Sequence, residues 1–284
     1  MMQEHIVQLK DAQLHVTQYS EAGEPVFLLH PGGFNGFIWS KVIPYLKNHF
    51  MVYTVDFRGH GRSPYTKSGY EMENQANDLI AIMDELNLDR VHMVGNSLGT
   101  DVAVHAAAMY SDRVKSLVNI DAGMLNFIGE HGEMDGTKEE WLKKAREKQI
   151  IEFDSRSDFK QFIAEVFGEF GDEYVQLCGE HVLLRTLSNG KLTHMMPSEC
   201  YEQLMEAWCD IHFESCYPSV KCPVLFLPAE REPKLAEKLV MVEHYKQYLS
   251  DCEVVIIEGM THIPLTSHAS ELSHVIRKFF NRIS

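Results

Sequence analysis

No run of the sequence approaches the roughly 18 consecutive apolar residues of a membrane-spanning helix. The N-terminus, Met1-Met2-Gln3-Glu4-His5, has no basic segment leading into an apolar stretch, so no secretory leader is read there and a cytoplasmic location is expected. Positive charge is scarce: 26 Lys and Arg stand against 41 Asp and Glu, a formal charge of -15. A phosphate-binding surface needs clustered Lys and Arg, and there is no such cluster, so nucleic acid is not an expected partner. The six cysteines, Cys178, Cys200, Cys209, Cys216, Cys222 and Cys252, fit no zinc spacing and are read as free thiols. The 15 histidines include no His-Glu-x-x-His, so neither a metal nor an organic cofactor is expected. No low-complexity or Pro/Gly/Ser-rich linker divides the 284 residues, which suit one large domain or a domain with an insert.

What is present is an alternation of short apolar runs and helical stretches. Residues 6–9 and 14–19 read as a hairpin around Asp11-Ala12. Residues 26–29, 51–55, 91–94 and 117–120 are apolar runs stopped by His30-Pro31-Gly32-Gly33, Asp56, Gly95 and Asp121. Such runs are what strands buried on both faces look like. Between them, residues 73–86 carry Ala76, Leu79, Ile80, Met83 and Leu86 at helical spacing, and residues 98–109 are small and apolar all round. Strand–helix alternation implies a mostly parallel sheet flanked by helices. It breaks after Asp121: residues 124–216 show helical stripes and no convincing strand. It resumes with a strand at 224–227, a helix at 234–249, a strand at 254–257 and a helix at 271–283. The expected organisation is therefore an α/β core in two parts, residues 1–123 and 217–284, interrupted by a helical lid at 124–216.

Gly95-Asn96-Ser97-Leu98-Gly99 carries the chemistry. It matches Gly-x-Ser-x-Gly, follows a strand and opens a helix, the setting that exposes a nucleophilic Ser hydroxyl on a tight turn. The helix N-terminus behind Ser97 favours developing negative charge. A hydroxyl needs a base. His262, in the loop past the last strand, is at the same sheet edge, whereas His268 falls where the final helix begins and reads as a helix-start residue. The orienting carboxylate is sought first in Glu232, on the loop after residues 224–227, with Glu230 and Asp121 as alternatives. The chain order Ser, acid, His fits with either Glu or with Asp121. For an oxyanion, Pro31 has no N–H, so Gly32 is the better donor with Gly33 in reserve, and Leu98 supplies the second amide.

These residues resemble the α/β-hydrolase superfamily along nearly the whole chain, its lid-bearing esterase, lipase and C–C hydrolase members in particular. His30-Pro31-Gly32-Gly33 is similar to its His-Gly oxyanion segment, with Pro31 in place of the usual Gly. Asp56-Phe57-Arg58-Gly59-His60-Gly61-Arg62-Ser63 is similar to its Asp-x-Arg-Gly-x-Gly-x-Ser loop, which in the family supports the nucleophile turn without being catalytic. Ser97, His262 and Glu232 take the places of nucleophile, base and acid, the last departing from the usual Asp. The resemblance implies the α/β-hydrolase fold and a lid that shapes the pocket; the expected partner is a small ester-like substrate, and the expected assembly a monomer or homodimer. A Ser nucleophile speaks against the epoxide hydrolase and dehalogenase branches, which use Asp there. Three functions follow: cleavage of a carboxylic ester, lactone or thioester; C–C hydrolysis of vinylogous diketone acids, suggested by Asn96; and non-catalytic ligand binding on the same fold.

Overall fold

The computed structural model describes residues 2–283. Its first strands, β1 (Gln3–Gln8) and β2 (Gln13–Gln18), form the expected hairpin, closed where Leu9 N donates to Ala12 O. Then follow β3 (Glu24–Leu29), α1 (Ile43–Leu46), β4 (Phe50–Asp56), α2 (Met72–Glu85), β5 (Val91–Asn96), α3 (Leu98–Met109) and β6 (Val114–Ile120). After an insert, the chain continues with β9 (Val224–Leu227), α9 (Leu235–Tyr245), β10 (Cys252–Val254) and α10 (Ala269–Ile283). The order in the sheet is β1-β2-β4-β3-β5-β6-β9-β10. β2 runs antiparallel to β1 and β4, and the other pairs are parallel.

The period-two rule of a strand explains the two cores. Along β3, Phe27 and Leu29 face one layer with Met93, Leu79 and Val102, under α2 and α3. Val26 and Leu28 face the other, with Val94, Val118, Leu46 and Leu272, under α1 and α10. Because both faces are covered, the strands read as unbroken apolar runs. The chain leaves β3 for β4 on one side and returns to β5 on the other, so the loops after β3 and β5 part there. A crevice outside the carboxyl ends of the strands is the physical result. The last strand is shorter and earlier than residues 254–257; beyond β10 the pairing continues through Val255 N, which donates to Phe226 O (3.0 Å), and an isolated bridge, Ile257 to Ala229.

The insert contains α4 (Lys138–Glu147), α5 (Arg156–Phe167), α6 (Asp172–His181), α7 (Ser198–Cys209) and α8 (Phe213–Cys216). It also contains a hairpin that the apolar pattern did not announce, β7 (Arg185–Thr186) with β8 (Leu192–Thr193). Two paired residues per strand are too few to show an alternation, and the signal lies in the turn, where Gly190 has φ +83°. Among the described residues no helix is long and apolar enough to cross a membrane.

The loop at residues 56–63 ties the crevice to the rest of the fold. Asp56 accepts from the amides of Gly36 (2.7 Å) and Arg62 (2.9 Å). Phe57 N donates to Nε2 of His30 (3.1 Å), so the loop holds the segment after β3 rather than the Ser97 turn directly. Arg58 is buried between Asp78 on α2, 2.8 Å from Oδ1, and Asp11 in the first hairpin, 3.0 Å from Oδ1. Removing one member of a buried ion pair strands the other charge. Arg58→Met is expected to cost about 3–5 kcal/mol in denaturant unfolding. A loss below about 1 kcal/mol, the value of an exposed pair, would show that Asp78 does not depend on this cation.

Candidate active site

Ser97 sits between β5 and α3 with φ +52° and ψ -124°, a strained backbone for a side chain other than glycine. The turn leaves no room beside it: a Cβ on Gly95 would collide with Thr100 N, and one on Gly99 with the Leu29 carbonyl. Both glycines of the motif are therefore steric requirements. The Ser97 carbonyl accepts from Thr100 and Asp101, while the amides of Leu98 and Gly99 precede the first intrahelical donor, as at any helix start.

His262 and Ser97 line one cavity of about 200 Å³. The histidine ring is held by Asp121, whose Oδ2 lies 2.7 Å from Nδ1. The expectation that Glu232 would hold it is corrected here. Glu232 Oε1 accepts from the backbone amide of His262 (3.2 Å), and Glu230 Oε2 from that of Gly259 (2.6 Å). Both glutamates lie on the loop after β9 and brace the His262 loop by its main chain. Asp121 ends β6, next to β9, and is the carboxylate directed at the ring. His268 binds Ser267 Oγ and the Glu258 carbonyl.

Asp121 is 0% exposed, and a lone buried carboxylate would be protonated. Burial pushes its pKa up, but the His262 hydrogen bond and the charge of Lys238 outweigh this and leave it below the ordinary value. Its Oδ1 accepts from Lys238 Nζ and from Ala229 N, both at 2.8 Å. Lys238 is itself 3% exposed and lies 3.3 Å from Glu133. For His262, burial pushes the pKa down, but the hydrogen bond and charge of Asp121 prevail and raise it. With Nδ1–H donated to Asp121, Nε2 is left as the acceptor of a proton.

Two further features surround the pair. Asn96 is buried, and its Nδ2 donates to Ile120 O (3.0 Å) and His262 O (2.8 Å), pinning the Ser97 turn to the His262 loop. Asp101, one turn into α3, accepts from Trp208 Nε1 (3.2 Å); burial and the nearby Glu133 raise its pKa to about 7. Gly32 lies beside Leu98: a Cβ built on it would be 3.9 Å from Leu98 Cβ and 3.1 Å from the Trp208 ring. Gly33 has φ +81° and an open surround. His30, upstream, is fully buried, and burial lowers its pKa to about 4, so it is neutral and serves as the acceptor for Phe57 N.

Sequence reasoning did not single out Lys238 or Glu133. Lys238 had a signal: it shares one face of α9 with Met241, Val242 and Tyr245, an apolar stripe where a lysine needs a buried anion.

A family model described as the alpha/beta hydrolase fold matches residues 25–269. Among curated relatives, a pimeloyl-[acyl-carrier protein] methyl ester esterase of Methylococcus capsulatus is 35% identical over 40% of this chain and 42% of its own length. The (E)-2-((N-methylformamido)methylene)succinate hydrolase of Acinetobacter baylyi is 22% identical over 85% of this chain and 84% of its own. The chain spans 30–38% of the length of the first curated relatives it matches. A solved E-2-(acetamidomethylene)succinate hydrolase superposes with a TM-score of 0.82 at 21% identity, over 99% of this chain and 100% of that one.

The direction of the His262 shift gives a titration test. In the intact protein the ring is expected to titrate above the ordinary value of about 6.5 by NMR. In Asp121→Asn the burial penalty is unopposed by the hydrogen-bonded charge, so the midpoint should move down. An unmoved midpoint would mean that Asp121 does not set the state of the ring.

Proposed function

Because the chain belongs to the α/β-hydrolase fold family, we propose that it is a serine hydrolase that cleaves a carboxylic ester through an acyl-enzyme on Ser97. The observation that carries this reading is the His262–Asp121 hydrogen bond on the wall of the cavity that Ser97 lines. Ser97 Oγ attacks the ester carbonyl while Nε2 of His262 takes its proton. Asp121 keeps the ring in the tautomer that leaves Nε2 free and stabilises the imidazolium. The amides of Leu98 and Gly32 donate to the oxyanion, and the α3 N-terminus adds its dipole. The imidazolium returns the proton to the leaving alkoxide as the C–O bond breaks. Water, deprotonated by His262, then attacks the acyl carbon, and Ser97 leaves with that proton. The methyl ester esterase of Methylococcus capsulatus supports an ester as the bond broken.

Asn96 had suggested C–C hydrolysis. Its amide is committed to two backbone carbonyls, a clamp that any serine chemistry at this site would use, so it does not single out that reaction. A vinylogous diketone acid turned over faster than simple esters would reverse the preference.

Treatment with a fluorophosphonate probe is expected to label Ser97, and Ser97→Ala should lower ester hydrolysis by at least about 10³-fold. Retained activity in Ser97→Ala would end the proposal. Tight ligand binding without labelling or turnover would favour a binding protein. Within the triad, Asp121→Asn should lower kcat by about 10³–10⁴-fold. Glu232→Gln, which loosens only a main-chain contact, should cost about tenfold or less, in line with one neutral-range hydrogen bond. The opposite ranking would return the role of acid to Glu232.

A further inference from the structure

A second and larger cavity, about 500 Å³, begins at Gly32 and is walled mainly by the insert. Trp208 lines both this cavity and the smaller one that holds Ser97 and His262. The two differ in charge. The smaller carries Asp101 and Glu133 and no Lys or Arg, whereas the larger carries Lys148 and Arg185 and no Asp or Glu among its described lining. The histidines of the larger cavity add no positive charge, since burial lowers His60 to about 3 and His194 to about 4.

That polarity runs against the composition of the chain, which has 41 acids for 26 bases. Elsewhere Arg58, Lys115 and Lys238 pack against carboxylates, and half-buried Arg156 and Lys234 donate to backbone carbonyls. Lys148 and Arg185 have no ion pair among the described residues. Lys148, though exposed overall, sets its ammonium 4.0 Å over the Tyr201 ring, where partial desolvation lowers its pKa. Arg185 is half-buried; its Nε is fixed on the Met195 carbonyl at 2.9 Å, and its guanidinium lies 6.0 Å over the Tyr65 ring. The anchored Nε leaves the terminal nitrogens of Arg185 as donors. Two cations on aromatic faces, beside an otherwise largely apolar hollow, leave one kind of partner wanting: a compact, planar anion that accepts from a guanidinium.

We propose that this cavity binds a free carboxylate on the acyl part of the substrate, held by Arg185 with Lys148, so that the ester cleaved is a half-ester of a dicarboxylic acid. The assignment rests on the Ser97 reading above. The acyl side is indicated because Gly32, whose amide faces the scissile carbonyl in that reading, lines the same cavity. The carbonyl would sit at the mouth and the carboxylate deeper among the insert residues.

The test compares p-nitrophenyl hydrogen glutarate with the uncharged p-nitrophenyl pentanoate in the unsubstituted 284-residue chain, Arg185→Met and Lys148→Met. The intact protein should favour the acid ester by at least about tenfold in kcat/KM, mostly through KM, as a charge-assisted hydrogen bond supplies. Arg185→Met should abolish most of that preference and Lys148→Met part of it. A preference for the neutral ester, or a ratio indifferent to both substitutions, would overturn the carboxylate site while leaving Ser97 chemistry standing. Failure of the Ser97 reading shows differently, as no adduct with the fluorophosphonate and no turnover of either ester. Calorimetry with glutarate then decides the cavity by itself: binding that weakens in Arg185→Met supports the site. No binding, or inorganic phosphate binding as tightly as glutarate, overturns it.

Discussion

The site hangs on a charge that must be hidden and kept. Asp121 is fully buried at the end of β6, and it is useful to His262 only while ionised. In a low-dielectric interior that demands a buried cation and filled lone pairs. Lys238 supplies the first, and the Ala229 amide and the His262 ring supply the rest. Lys238 in turn fixes the phase of α9, because only one face of that helix brings its ammonium to β6. Glu133, from the insert, lies against the same ammonium and so ties the segment after β6 to the core.

Around that charge the remaining groups are placed by backbone. The strained Ser97, the two glycines beside it and the helix start behind it are one local structure. The Asp56–Ser63 loop sets the position of Gly32 at one remove, through Phe57 and His30. Glu232 and Glu230 hold the main chain of the His262 loop, and Asn96 holds it again at the His262 carbonyl. The ring is thus oriented by one carboxylate while the chain that carries it is fixed by three other side chains.

The sheet was legible because buried parallel strands leave unbroken apolar runs with polar or glycine stops, and those stops are where the chain meets the crevice. Gly95, Gly99 and Ser97 were legible because steric demands on a turn admit few residue types. Asp121 and Glu232 were harder to rank. Sequence places both at the same sheet edge, and which one points at His262 depends on the path of the loop after β9, a property of tertiary packing. Lys238 escaped notice because a lysine on a helix reads as solvated until the anion beneath it is known. The β7–β8 hairpin escaped because its strands are too short to carry a period.

The hydrogen bond from Asn96 to the His262 carbonyl joins residues 166 positions apart, and that from the His262 ring to Asp121 spans 141. Contacts so remote in sequence form late, after loop closure has been overcome. During synthesis the Ser97 turn is complete long before the His262 loop leaves the ribosome, and the insert lies between them. A chain caught part-way holds Ser97 without His262, so the arrangement on which the proposed chemistry rests comes into being only once the loop after β10 has joined the sheet edge.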